Sequence, residues 1–222
     1  AILQFRASRI FRSGKDTGIL PADVESRAKG YGRALWINSV LDLAVWQQSG
    51  VFFLWLFVGS NYSGQFSIAY ALTFGLMSIP SVSIVSSLFP EFSKLYGSGD
   101  AQRGHVTFRV GFKANTLLVA PMASALVIGG ADLAAVLFGA EFDQAGEVTS
   151  LLAISSGFVA IGGLAVFFGY AQEKHATWMK ISVADSMLAI ALFLVLVPIM
   201  GLLGAVIVQG GVQVLGVSIV LY

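Results

Sequence analysis

Two cations and two carboxylates stand out as side chains able to do chemistry in an otherwise apolar sequence. Arg109 and Lys113 lie four residues apart, on one face of a helix that Thr116, Ala120 and Ser124 continue. Cations at that spacing repel and need water, lipid headgroups or an anion beside them. Capture of a diphosphate headgroup fits them; ordinary snorkelling to the membrane interface is the plainer account. Asn38, Asp42 and Ser49 share a helical face with Trp46 and Phe53, while Gln47 and Gln48 point elsewhere. A carboxylate within a hydrophobic span is costly and usually faces a bundle interior or a cavity. Asp42 sits about 13 Å beyond Arg33 at about 1.5 Å per helical residue. It reads as a cavity-lining or protonatable group, or as a carboxylate at the cytoplasmic end that meets water or a neighbouring Lys. Asp185 is the second such carboxylate. Lys180, five residues before it, is about 140° away on the helix and does not pair with it. Substrate binding is therefore sought at Asn38, Asp42, Arg109, Lys113 and Thr116, and ion coupling at Asp42 and Asp185.

Other chemistries lack their residues. The two histidines, His105 and His175, fall in polar stretches where solvated surface is expected. No HExxH, GxSxG or Walker-type run occurs, so no catalytic residue, metal site or cofactor is expected. With 0 cysteines there is neither a disulfide framework nor a thiolate site. Basic residues do not cluster with aromatics, which argues against nucleic acid as a partner.

The elements that must position these groups are membrane spans. Hydrophobic residues make up 56% of the chain and charged residues 11%, against about 25% charged in soluble domains. A bilayer core of about 30 Å takes roughly 20 helical residues to cross. Six stretches qualify: 34–58, 66–89, 107–129, 148–171, 177–198 and 202–222. They are too long and uniformly apolar for barrel strands, so the expected fold is all-α, a polytopic bundle of six spans.

Lys and Arg divide the loops into two sets. Arg6, Arg9, Arg12, Lys15, Arg27, Lys29 and Arg33 precede the first span. Lys94, Arg103, Arg109 and Lys113 lie between the second and third or just inside the third, and Lys174 and Lys180 between the fourth and fifth. The alternate loops, 59–65, 130–147 and 199–203, have none. By the positive-inside rule both ends of the chain face the cytoplasm, in the cytoplasmic membrane. Residues 1–33 form a basic polar segment, either a surface helix at the headgroups or the tail of a preceding span. The start without Met and the end within an apolar run suggest a piece of a longer protein. Pro80 and Pro121 fall deep enough to kink spans, whereas Pro90 and Pro198 read as helix ends. Gly162, Gly163, Gly210 and Gly211 permit close helix packing.

Four short runs keep a familiar order: GQFSIAYAL (64–72), SLFPEFSKLYGSGD (87–100), LFGAEFDQA (137–145) and LVPIMGLLGAV (196–206). Together they resemble the C-terminal half of a Wzx-type polysaccharide-biosynthesis flippase. That family lies in the superfamily that also holds multidrug extruders and lipid II flippases. The resemblance covers 34–222, with 1–33 similar to the basic segment between two lobes. It implies two six-helix lobes and an interlobe cavity lined by the first three spans, faced by Arg109, Lys113 and Asp42. It also implies three partners: a polyprenyl-diphosphate-linked oligosaccharide as substrate, the N-terminal lobe of the same polypeptide, and membrane lipids. The stretch Gln47-Gln48-Ser49-Gly50-Val51 departs from the charged residue the resemblance leads one to expect there. A cation-coupled drug extruder of the same superfamily is the alternative, and a membrane-embedded glycan polymerase or transferase a third reading.

Overall fold

The computed structural model describes residues 22–139, 142–172 and 174–221. Arg6, Arg9, Arg12, Lys15 and Glu141 lie outside them, and with them the surface-helix reading of the N-terminal segment. Every regular element among the described residues is helical. The first span is composite: α1 (Ala22–Leu41), a π-helical segment (Asp42–Gln47) and α2 (Ser49–Phe57). Five long helices follow: α3 (Ser60–Gly97), α4 (Ala101–Phe138), α5 (Asp143–Ala171), α6 (His175–Met200) and α7 (Leu202–Leu221). Six of the resulting rods are long and apolar enough to cross a membrane.

The helices run further than the apolar stretches. α3 and α4 have 38 residues each, about 57 Å at about 1.5 Å per residue. Polar residues 90–97 and 101–106 continue the helices rather than forming a loop. Hydropathy marks where a chain meets lipid, whereas a helix ends where its hydrogen-bond ladder is interrupted. Here the turn comes at Gly99 (φ 81°) and Asp100, whose side chain caps α4 by accepting from the Arg103 backbone N–H at 3.1 Å. Pro90 accordingly lies inside α3, and Pro80, Pro121 and Pro198 are also within helices. The first hairpin is equally tight: Gly59, at φ 128°, turns the chain directly from α2 into α3.

α5 is the central rod, packed against α3, α4 and α7 and half buried along its most apolar stretch. Its N-terminus is capped from another helix, since the buried Gln65 Oε1 of α3 accepts from the Ala145 N–H at 2.8 Å. α6 pairs with α7 and holds the first span. The largest apolar cluster joins α2, α3, α5, α6 and α7 through Phe53, Phe66, Leu152, Phe193 and Val208. Lipid tails are as apolar as these side chains, so close backbone approach and interhelical hydrogen bonds hold the bundle. Gly162 abuts Val217, and a Cβ on Gly210 would meet Ser155 Oγ at 2.8 Å. Gly163 and Gly211 face open space instead.

The topology gathers the described Lys and Arg at one end. There Gln172 Nε2 donates to the Tyr96 hydroxyl at 2.9 Å, tying the end of α5 to the end of α3. The His175 ring meets the edge of Tyr31 at 5.7 Å, tying the start of α6 to α1.

Candidate functional site

The first span loses α-helical register at Asp42. A π turn closes bonds from i to i+5 and is frequent at functional sites. It puts Gln47 beside Asp42, and Gln47 Nε2 donates to Asp42 Oδ2 at 2.9 Å. α-Helical spacing sends those side chains to different faces, so the sequence-based placement of Gln47 is corrected by the π geometry. Two carbonyls of the segment are taken by side chains: Ala44 by Ser49 Oγ at 3.0 Å and Trp46 by Gln209 Nε2 at 2.8 Å.

Behind this segment lies a cavity of about 200 Å³. Asp42 and Trp46 come from the first span, Val159 and Val166 from α5. α6 contributes Trp178, Ile181, Ser182 and Asp185, and α7 contributes Gln213, Gly216 and Val217. The two carboxylates singled out from the sequence thus line one cavity. Asp42 is exposed at it and Asp185 half-buried. Two glycines make the space: Gly216 abuts Asp185 Oδ2, and Gly169 abuts the Trp178 indole nitrogen. Gln213 Oε1 and Trp178 Nε1 are buried there without a protein partner.

Size and donor set define what fits. Pockets for organic ligands usually span about 300–1,000 Å³, and a water takes about 30 Å³. The space is smaller than most organic-ligand pockets and admits a cation with a few waters. Two carboxylates, the Ser182 hydroxyl and the Gln213 carbonyl form an oxygen-rich set suited to a hard cation or a proton. Among the described residues no group of three or more His, Cys, Asp or Glu side chains is arranged to hold a metal.

Asn38 lies one turn before Asp42 but turns inward, its Nδ2 donating to the Tyr170 hydroxyl at 2.6 Å. His175, expected as solvated surface, is half-buried instead: Tyr31 packs against its ring and its Nδ1 is buried without a partner. Arg109 and Lys113 are not at this cavity. Both are exposed, while α4 buries Gly104, Gly111, Asn115 and Val119. Each cation lies two residues, about 200° of helix, from a buried position. They point away from the bundle, so the described residues do not join them to Asp42. Thr116 is half-buried, and its hydroxyl donates to the Phe112 carbonyl of its own helix at 2.8 Å.

Trp178, Gln209 and Gln213 were missed by the sequence reading. A signal for two of them existed: Gln209 and Gln213 are four apart on α7, whose other residues, Ser218 aside, are apolar or Gly.

A family model described as "Lipid II flippase MurJ" matches residues 35–222. No curated protein and no solved structure matches the chain.

Proposed function

This chain belongs to the lipid II flippase MurJ family, and on that premise we propose that it moves a polyprenyl-diphosphate-linked cell-wall precursor, lipid II, between leaflets. The family match carries this reading, and it covers all six helices able to span a membrane. The chain is thus a multi-pass membrane protein of the flippase superfamily that the sequence motifs pointed to. The match favours the lipid II branch over the polysaccharide-exporting one, so the O-antigen, capsule and exopolysaccharide reading is set aside.

Within this proposal the two groups of charged residues have separate tasks. Arg109 and Lys113 project from the outer face of α4 near the basic end. They meet the diphosphate where a second lobe of the same polypeptide closes a larger cavity against this one. That end faces the cytoplasm, where the charge partition puts it. Asp42 and Asp185 take a coupling cation or proton inside this lobe, in a space smaller than organic ligands usually occupy.

The test uses the full-length protein with Arg109→Ala and Lys113→Ala combined. Expected are loss of growth complementation in a flippase-depleted strain and accumulation of lipid II in the inner leaflet. Normal growth and lipid II distribution at normal protein level would remove the two cations from the mechanism. Drug accumulation in the same cells should be unchanged, which separates this activity from drug extrusion.

A further inference from the structure

Gln209 lies one helical turn from the cavity-lining Gln213 but does not line the cavity itself. Its side chain is fully buried, and its Nε2 reaches across from α7 to the Trp46 carbonyl at 2.8 Å. Trp46 and Asp42 both belong to the π segment and both line the cavity. A π turn accommodates one more residue than an α turn. Returning the segment to α register would therefore rotate Asp42 and α1 by about 100°, one residue's step, relative to α2. Trp46 lies at the end of the π segment, where the i→i+5 ladder gives way to the α-helical one of α2, and its carbonyl there accepts from α7. A donor on α7 thus favours the register that puts Asp42 on the cavity. Apolar surroundings raise the cost of leaving that carbonyl without a partner.

We propose that Gln209 is a positioning residue for the cation site: by holding the Trp46 carbonyl it keeps the first span in π register and Asp42 on the cavity. The inference rests on the coupling role proposed for that cavity, and its geometric part can be tested apart from coupling. Gln209 touches neither the cation nor the lipid substrate.

The experiment uses full-length protein carrying Asp42→Cys and Asp185→Cys, with any cysteine elsewhere in the polypeptide replaced. A short bifunctional thiol reagent joins the pair, and the cross-link is read by mass spectrometry. Adding Gln209→Met, which keeps an unbranched side chain and removes the donor, lowers the yield several-fold. Gln209→Leu serves as the second variant if the first is poorly folded. In protein with both carboxylates intact, sodium is titrated against the fluorescence of Trp46 and Trp178. There Gln209→Met raises the half-saturating concentration about 10–100-fold, the effect usual for partners that orient a metal ligand.

An unchanged cross-link yield overturns the proposal, as does a parent pair that does not cross-link. A lower melting temperature with yield and half-saturation both unchanged makes Gln209 merely structural and also overturns it. A reduced yield in a protein that never responds to sodium upholds the positioning role and removes sodium as the coupling ion.

Discussion

The two sides of this bundle treat their polar groups in opposite ways. Where α3, α4 and α5 meet, buried polar side chains bridge the helices. Asn115, 1% exposed, donates to the Ala160 carbonyl at 2.9 Å, and Ser81 donates to the same carbonyl at 3.1 Å. Gln65 caps α5, and Gln172 joins Tyr96. On the other side stand the first span, α6 and α7. There Asn38 Oδ1, Trp178 Nε1, Ser186 Oγ, Gln209 Oε1 and Gln213 Oε1 are buried without partners, beside two carboxylates and a π turn. Matched polar groups specify one arrangement; unmatched ones are costly in an apolar setting and leave room for water or an ion. The contrast separates a scaffold from a working half.

Substitutions can break that contrast, beginning with the largest effect. A Cβ on Gly146 of α5 would approach the Ala131 Cα of α4 to 2.6 Å, and backbone cannot swing aside. Gly146→Val should cost about 1–3 kcal/mol through overpacking, read as a lower melting temperature in detergent. An unchanged melting temperature would mean the scaffold is looser than its contacts imply. Asn115→Leu, which strips the shared bond at Ala160, should cost about 0.6–1.7 kcal/mol, the range for interhelical hydrogen bonds in membranes. If it also abolished flipping at normal protein level, the division between scaffold and working half would fail. Gly216→Ala should be the mildest for stability, because its Cβ meets the end of the Asp185 side chain rather than backbone and Ala favours a helix by about 1 kcal/mol over Gly. Its effect belongs to function: the displaced carboxylate should weaken the sodium response of the Trp fluorescence. A normal response would take Asp185 out of the site.

The contrast also marks what could be read from the sequence. Six spans were legible because lipid demands long apolar helices and the chain supplies them. Their ends were not, since Lys94 and Arg103 continue helices beyond the apolar stretches. Asp42 and Asp185 were legible singly, as carboxylates in apolar surroundings. Their sharing of one cavity was not, because it depends on how the first span packs against α6. The π turn left no compositional mark: it changes register within an ordinary run, Asp-Leu-Ala-Val-Trp-Gln, and so hid the pairing of Gln47 with Asp42. His175 resembled solvent-exposed surface because the Tyr31 ring that packs against it comes from α1, distant in sequence.

The length of the α3–α4 hairpin has a mechanical consequence. Each rod exceeds a hydrocarbon core of about 30 Å by about 27 Å. Were that excess to project as one arm at the basic end, a tilt of about 5° would carry its tip about 2 Å sideways. In that arrangement the hairpin acts as a lever: small rearrangements within the bilayer become displacements that a spin label or fluorophore at the Gly99 turn would report from the aqueous side.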